Sequence, residues 1–320
     1  MAYINRSVDH EMILQTGQRT DIPAFYAEWF ANRIQDGYVL VRNPYRKLSV
    51  KRYILHPTII DGIIFCSKNP KPMLTYMKLL ASYRQYWHVT ITGYGKDIEP
   101  NVPSIDSIIK TFKQLSNYVS PYQLVWRYDP IFFTSTYTLA YHLRTFNYIA
   151  KQLKDYTDTV IVSFIDLYPK VRRNFSTLCR PTKIETYKVI EALVTIANSY
   201  GMKLKTCGEL IDYTSLGADT SGCFNKNTFK RAFQTNLILP NKPPARKQCN
   251  CFIHDDIGIY NSCGHFCRYC YANTDIATVR YNMKQHNSKS PFLIGSSTPL
   301  DIIYDASESS WVDNQMRLEF

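Results

Sequence analysis

Hydrophobic and polar positions alternate in one recurring pattern along the first two-thirds of the chain. A short run of β-branched or aromatic residues is followed by polar residues and then, usually, by a segment with apolar residues at three- and four-residue spacing. The short runs predict strands at residues 12–15, 38–41, 62–66, 88–92, 124–127, 159–165 and 203–207. The periodic segments predict helices at residues 24–35, 72–83, 105–118, 138–153 and 184–199, with one more at 224–234.

This alternation predicts an α/β fold built on parallel strands. A parallel barrel and a large open parallel sheet both fit the pattern, and we expect a TIM-like (β/α) barrel of about seven to eight parallel strands. Residues 1–235 form the barrel body in this prediction. Residues 236–320 begin with a connection rich in Pro and Lys and contain a cysteine-rich segment. We expect them to pack on the barrel as part of the same structural unit.

Polar side chains follow the predicted strands along the chain. In a barrel the carboxyl ends of all strands open onto one face, where active sites are built. Loops that meet water are usually polar, so a single polar residue after a strand indicates little. The recurrence of polar residues after successive strands is what indicates a shared site. The residues that this face would collect include Arg19, Asp21, Arg42, Asn43, Lys68, Arg127, Asp129 and Glu209.

Charge narrows the range of partners. The chain has 38 Lys and Arg against 26 Asp and Glu, which gives a formal net charge of +12. A positive balance favours polyanions such as nucleic acid or nucleotides, or a membrane surface. No run of about 18 apolar residues is present, and Asp9 and Glu11 occupy the segment where a signal peptide has its apolar core. We therefore expect a soluble, cytoplasmic protein without a membrane partner.

The cysteines are concentrated late in the chain. Nine are present, and seven of them fall between residues 207 and 270. The cytosol keeps thiols reduced, so such a concentration indicates a metal site rather than a disulfide framework. The segment Cys263-Gly-His-Phe-Cys267-Arg-Tyr-Cys270 carries three thiols, here called the tripod, on one short loop. Thiolates are preferred ligands of iron–sulfur clusters and of zinc, and three of them leave one iron of a four-iron cube open to a substrate or cofactor.

The spacing C-x3-C-x2-C, with Tyr269 before the third cysteine, resembles the signature of radical S-adenosylmethionine enzymes. Residues 263–273 resemble in particular the cluster loop of the spore photoproduct lyase branch. The resemblance implies that the tripod holds a [4Fe–4S] cluster whose open iron chelates S-adenosylmethionine. One electron, from a donor such as flavodoxin or ferredoxin, would then release methionine and a 5′-deoxyadenosyl radical that abstracts hydrogen from a substrate.

The wider chain resembles a bacterial family, domain of unknown function eighteen-forty-eight, over nearly its whole length. The matching stretches are residues 19–25, 38–44, 68–70, 94–101, 125–130, 249–251 and 256–260. Two positions depart from the family pattern, because Cys66 stands where the family is expected to have tryptophan and Phe266 where it usually has glycine. Neither change removes a thiol of the tripod.

The radical-enzyme resemblance also gives expected roles to individual residues. Arg19, Asp21, Arg127 and Asp129 are expected at the catalytic site. The expected cofactor-binding residues are Arg42, Asn43, Lys68, Glu209, Tyr269 and Asn273. Basic charge and the likeness to photoproduct lyase favour nucleic acid or a nucleotide as the substrate, in DNA repair or modification.

Other readings of the cysteines stay open. Cys249, Cys251 and His265 are able to complete a closed zinc site with part of the tripod, which gives a non-catalytic, metal-stapled barrel that binds nucleic acid or another anion. A protein that only transfers electrons is a further alternative. A second iron–sulfur cluster needs four ligands, and four cysteines lie outside the tripod in the same part of the chain: Cys207, Cys223, Cys249 and Cys251. The alternatives are that these four are simply buried, or that only Cys249 and Cys251 bind a metal.

Overall fold

A computed structural model describes residues 13–175, 181–238, 251, 256–306 and 310–312. Its strands are β1 Ile13–Gln15, β2 Tyr38–Arg42, β3 Ser49–Ile54, β4 Gly62–Ser67, β5 Gln85–Thr90, β6 Leu124–Ile131, β7 Thr159–Phe164, β8 Lys203–Thr206 and β9 Ile302–Asp305. Its α-helices are α1 Ile22–Phe25, α2 Ala27–Asp36, α3 Ile105–Leu115, α4 Leu139–Leu153, α5 Pro169–Asn174, α6 Lys183–Ser199, α7 Lys226–Phe233 and α8 Ile276–Lys284. Within these ranges, no helix is long and apolar enough to cross a membrane.

Six strands form one sheet in the order β1-β4-β5-β6-β7-β8, and every neighbouring pair in it is parallel. Parallel neighbours need crossover connections, which α3, α4 and α6 supply on one side of the sheet. The predicted α/β fold on parallel strands is confirmed. In the described residues the hydrogen-bonded order ends at β1 and β8, so strand pairing does not close the sheet into a barrel there.

The other three strands form a separate sheet in the order β2-β3-β9. The prediction that residues 38–41 belong to the parallel sheet is therefore wrong, since β2 pairs antiparallel with β3. A tight connection explains this pairing. The Asn43 side chain accepts hydrogen bonds from the backbone N–H groups of Tyr45 and Arg46 and turns the chain back on itself.

The predicted helices are mostly confirmed, with their amino ends fixed by side-chain caps. Ser104, Thr138 and Thr182 accept hydrogen bonds from the first turns of α3, α4 and α6. The segment 72–83 is different, because it forms a 3-10 helix at Lys71–Tyr76 and further three-residue turns. Apolar positions spaced by three or four residues fit a 3-10 turn as well as an α-helix, so the pattern did not separate the two.

The two faces of the parallel sheet are buried differently. Helices α2, α3, α4 and α6 cover the outer face. On the inner face, α7 lies near the amino ends of the strands. Its Phe233 ring contacts Gly62 at the start of β4, where an added Cβ would lie 2.4 Å from the ring, and its Arg231 pairs with Asp158 just before β7. The inner-face residues that pack with α7 are Ile13, Ile64, Tyr86, Val125 and Ile161.

Candidate functional site

A cavity of about 370 Å³ opens at the carboxyl ends of the parallel strands. Strand-end residues from all six strands of the parallel sheet line it, as the sequence pattern predicted for one shared face. The polar residues of that prediction that reach the cavity are Arg19, Asp21, Lys68, Arg127 and Asp129. All seven cysteines in the described ranges also line it: Cys66, Cys207, Cys223, Cys251, Cys263, Cys267 and Cys270.

The tripod loop is tied to the loops of the sheet by hydrogen bonds to its backbone. Asn101 donates from Nδ2 to the carbonyl oxygen of Gly264 at 2.7 Å. Asn273 donates from Nδ2 to the carbonyl oxygen of Cys263 at 2.9 Å. Asn273, an expected cofactor-binding residue, is not part of the cavity wall. Its contact is with the loop backbone, so it shapes the loop that carries the thiols.

Close packing and an unusual backbone conformation hold the same loop. An added Cβ at Gly264 would lie 2.8 Å from the ring of Phe25 in α1, so only glycine lets the loop approach that helix. Phe266 has a φ of 57°, in the left-handed region that favours glycine. The glycine usually expected at this position matches the conformation that the chain adopts here.

Burial affects the protonation of two thiols of the tripod. It raises the pKa of Cys263 and of Cys267 well above the ordinary thiol value, and neighbouring thiols and carboxylates add to both shifts. Thiolates at these positions therefore need a cationic partner. Without such a partner, both side chains are neutral thiols at neutral pH.

Asp21 and His265 connect the tripod loop to the end of β1. The Oδ2 atom of Asp21 lies 2.9 Å from Nε2 of His265 and accepts a hydrogen bond from the backbone N–H of Lys68 at 2.8 Å. The ring of His265 packs edge-on against Phe25, with centroids 4.7 Å apart. Asp21 thus orients the histidine between the first two thiols, and His265 has packing and hydrogen-bonding partners that do not require it to bind metal.

The Glu99 carboxylate accepts hydrogen bonds from three side chains near the tripod. Its Oε1 accepts hydrogen bonds from Lys68 Nζ at 2.9 Å and Thr92 Oγ1 at 2.7 Å, and from the hydroxyl of Tyr269. Although burial opposes the charge on Lys68, the Glu99 carboxylate raises the pKa of that ammonium group. The pair is a buried ion pair that fixes the Tyr269 side chain between Cys267 and Cys270.

Arg127 and Asp129 form a second charged pair deeper in the cavity. The Arg127 guanidinium donates to Asp129, which also accepts a hydrogen bond from Ser163. Burial opposes the charge on Arg127, but Asp129 and then the nearby thiols Cys207, Cys223 and Cys66 raise its pKa. The guanidinium therefore lies among sulfur atoms and can offset negative charge on them.

Three further thiols, here called the inner thiols, meet at the cavity floor from separate segments. The Sγ atoms of Cys207 and Cys223 are 3.5 Å apart, and those of Cys223 and Cys251 are 3.1 Å apart. Cys249 lies outside the described residues. Among the residues that are described, no group of three or more His, Cys, Asp or Glu side chains is arranged to hold a metal ion.

A family model with the description "Domain of unknown function (DUF1848)" matches residues 13–272. The chain belongs to the DUF1848 family. The matched range of this DUF1848 protein contains the whole parallel sheet and the tripod. No curated protein matches it significantly. Among solved structures it is similar to the FimX EAL domain of Xanthomonas citri in complex with c-diGMP, at 12% identity over 60% of this chain and 88% of that one, with a TM-score of 0.22.

Some residues expected at the cavity of the DUF1848 protein lie elsewhere. Arg42 is on the small sheet, where it forms an ion pair with Asp301 at 2.5 Å, and Asn43 caps the turn after β2. Both positions follow from the antiparallel pairing of β2. Glu209 is also outside the cavity wall and accepts a hydrogen bond from the backbone N–H of Phe164 at 2.8 Å. These expected cofactor contacts are therefore not supported by position.

Several polar residues of the cavity wall were not predicted from the sequence, among them Gln15 and Thr20. Gln15 is 1% exposed, and neither its Nε2 nor its Oε1 has a hydrogen-bond partner in the described part of the molecule. The Oγ1 atom of Thr20 is likewise buried and unpartnered there. A signal for Gln15 was present, since it is a polar residue at an inward position of an otherwise apolar strand.

Proposed function

We propose that this DUF1848 protein is an iron–sulfur enzyme of radical S-adenosylmethionine type. In this proposal Cys263, Cys267 and Cys270 hold a [4Fe–4S] cluster, and S-adenosylmethionine is cleaved to start hydrogen abstraction from a nucleic acid or nucleotide. The observation that carries it is the common cavity: three thiols of one short loop face the same space as the polar carboxyl ends of the parallel strands.

The donor set fits such a cluster in chemistry. All-thiolate ligation is typical of iron–sulfur clusters. Because burial raises the pKa of Cys263 and of Cys267, their thiolates would be held in that form only with positive charge beside them. A cube bonds each thiolate to a different iron, so its ligands need not converge on one ion. When bound, the cluster would supply one electron to the sulfonium of S-adenosylmethionine.

The residues of the chain have separate tasks in this proposal. Asp21 and His265 keep the tripod loop against the sheet, and the ion pair of Lys68 with Glu99 holds Tyr269 in place. Arg127, which is held by its ion pair with Asp129, would bind an anionic group of the cofactor or substrate. Arg19 lines the cavity wall and lies 4.0 Å from Asp256.

We further propose that the sheet closes as a TIM-like barrel of about eight strand positions. Each edge of the six-stranded sheet is extended by a parallel bridge, Gln15 to Asp256 at one edge and Lys205 to Asp219 at the other. The segments that follow Asp219 and precede Asp256 carry Cys223 and Cys251. Their sulfur atoms are 3.1 Å apart, which supports a meeting of the two edges.

The inner thiols support a second role for the same cavity. With Cys249 as a fourth ligand, Cys207, Cys223 and Cys251 would hold a second cluster beside Arg127. Such a cluster would supply a route for electrons from a flavodoxin- or ferredoxin-like donor to the tripod. An electron-transfer protein without radical chemistry, or a zinc-stapled barrel that binds anions, is the alternative that the experiment must exclude.

Metal analysis after purification without oxygen tests the proposal. We expect a brown protein with about four iron and about four sulfide per chain, or about eight of each if a second cluster is bound. Cys267→Ala should lower both by about four, whereas the matched control Cys66→Ala, which removes a thiol from the same cavity outside the tripod, should keep the tripod cluster. Zinc without sulfide in the wild type would instead support the metal-stapled barrel.

A further inference from the structure

Cations from two segments lie together at the rim of the cavity. Lys170 and Arg173 belong to α5, which begins directly after the cavity-lining residue Tyr168. Arg268 belongs to the tripod loop, between Cys267 and Tyr269, and its side chain is exposed. None of these three cations lines the cavity itself. Arg268 stands between two lining residues and α5 follows a third, so the cations lie beside the cavity wall.

Direct contacts join α5 and the tripod loop into one surface. Asn174 donates from Nδ2 to the carbonyl oxygen of Arg268 at 2.6 Å, and the Arg268 guanidinium donates back to the carbonyl oxygen of Asn174. The guanidinium also lies 4.4 Å from the ring centre of Phe175. Because these contacts fix Arg268 beside α5, its charge adds to those of Lys170 and Arg173.

The cations of this surface repel one another. Burial lowers the pKa of Lys170, and repulsion by Arg173 adds to that effect, while Cys270 and Asp275 act in the opposite direction. Arg172 adds a further cation and donates from Nε to the carbonyl oxygen of Leu167 at 3.2 Å. A bound anion would relieve the repulsion between Lys170 and Arg173.

Two tyrosines stand next to these cations. The rings of Tyr168 and Tyr271 line the cavity with centroids 6.0 Å apart, and Tyr271 is 43% exposed. Its hydroxyl donates to the carbonyl oxygen of Gln18 at 2.6 Å, which fixes the ring at the opening. A fixed, exposed aromatic ring beside cations is the arrangement on which unpaired bases stack while their phosphates are neutralised.

We propose that Lys170, Arg173, Arg268, Tyr168 and Tyr271, here called the mouth surface, bind single-stranded nucleic acid across the cavity opening. The cations contact backbone phosphates, a base stacks on Tyr271, and the adjoining nucleotide enters the cavity. A duplex keeps its bases stacked on each other and leaves the tyrosine face unused. The inference deepens the proposed function and rests on it for the identity of the cavity as the reaction site.

Fluorescence anisotropy with a labelled single-stranded DNA of about 12 nucleotides tests the mouth surface. RNA of the same sequence and the matching duplex serve as further probes, and salt is varied. We expect both single strands to bind more tightly than the duplex. In the double variant Lys170→Ala/Arg173→Ala, the slope of log affinity against log salt should fall in magnitude by about 0.7 for each lost cation.

Matched variants distinguish binding at this surface from non-specific attraction by the net positive charge of the protein. Lys226→Ala/Lys230→Ala removes two exposed cations from α7, near the opposite ends of the strands, and should leave the slope unchanged. Tyr271→Ala should weaken single-strand binding by about 5- to 100-fold, while Tyr271→Phe should retain it. Equal effects of the two double variants, tighter binding of the duplex, or no binding of any strand at low salt would overturn the inference.

Release of 5′-deoxyadenosine from S-adenosylmethionine, measured on the same wild-type preparation, separates the two proposals. Strand binding without nucleoside release contradicts the proposed enzyme and leaves the mouth surface standing. Nucleoside release without strand binding contradicts the mouth surface and leaves the enzyme standing.

Discussion

Individual buried polar groups on the outer and inner sides of the parallel sheet differ in how well they are satisfied. On the outer side, both ring nitrogens of His142 have partners, the hydroxyl of Tyr128 at 2.8 Å and the carbonyl oxygen of Phe132 at 2.9 Å. On the inner side, Gln15 and Thr20 keep polar atoms without partners in the described residues. Buried polar groups are normally satisfied, so the unpartnered atoms of the cavity wall cost stability. The contrast is between these individual groups, since Nε of Arg33 in α2 is also buried without a partner in the described residues.

The largest expected effect is on the ion pair beneath the tripod. Lys68→Met leaves the carboxylate of Glu99, 2% exposed, without its counter-ion and should lower the free energy of unfolding by about 3 to 5 kcal/mol. The double variant Lys68→Met/Glu99→Gln should recover part of this loss. Urea denaturation measures both.

The control for that pair lies on the small sheet. Arg52 and Asp305 form an ion pair whose side chains are 45% and 59% exposed. Arg52→Met should cost less than about 1 kcal/mol. A similar cost for Lys68→Met and Arg52→Met would show that the cavity pair is as well solvated as a surface pair.

The outer side should show a pH dependence that traces to His142. Burial lowers the pKa of its imidazole from 6.5 to about 4 in the folded state. Between these two values the unfolded chain binds a proton that the folded chain does not. The contribution to stability is therefore complete above pH 6.5 and falls as the pH drops towards 4, with a slope that approaches about 1.4 kcal/mol per pH unit.

Unfolding of His142→Gln from pH 4 to 7 isolates this contribution. The difference in stability between wild type and variant should favour the wild type progressively more as the pH rises through this range. A difference that does not change with pH would show that His142 is not buried as a neutral ring.

Two glutamines provide a smaller but sharper contrast. Gln85 is satisfied, since it donates to the carbonyl oxygen of Leu80 at 2.8 Å and accepts from Trp87 Nε1 at 3.0 Å. Gln85→Leu should destabilise the protein by about 1 to 3 kcal/mol, because partners are left unpaired. Gln15→Leu should instead raise the stability, because it removes a buried amide that has no partner in the described chain. Equal destabilisation by both would contradict the contrast.

The smallest expected effect is at Phe266 in the tripod loop. Phe266→Gly removes a whole ring, yet it should change stability by less than about 1 kcal/mol, because glycine adopts the left-handed conformation without strain. Phe266→Val should cost about 1 to 2 kcal/mol more than the glycine variant. Thermal unfolding of both variants distinguishes strain from side-chain packing, since a packing role would make glycine the worse replacement.

Local features of the sequence were the most informative. The tripod lies within eight residues of chain, and the strands at 62–66, 124–127, 159–165 and 203–207 follow from short apolar runs, so both were predicted from the sequence. Parallel pairing then brings the carboxyl ends together, which places Asp21, Lys68 and Arg127 in one cavity.

Features that depend on long-range pairing were not predicted. The sequence does not show that β2 pairs antiparallel with β3. Arg42 was therefore expected at the end of the parallel sheet, whereas it lies on the small sheet. Cys207, Cys223 and Cys251 come from three separate segments, and their contacts depend on the packing of residues that are far apart in the sequence. Glu99 lies in a stretch that resembles the family, residues 94–101, but only the structure shows that it accepts hydrogen bonds from both Lys68 and Tyr269.

Cleavage of S-adenosylmethionine by the reconstituted, reduced protein tests the central claim most directly. After anaerobic reconstitution and reduction with dithionite, the wild type should form 5′-deoxyadenosine and methionine in equal amounts, and Cys267→Ala should form neither. If the wild type carries a reduced four-iron cluster and still yields no 5′-deoxyadenosine, or if Cys267→Ala yields as much as the wild type, the tripod is not a radical-generating site.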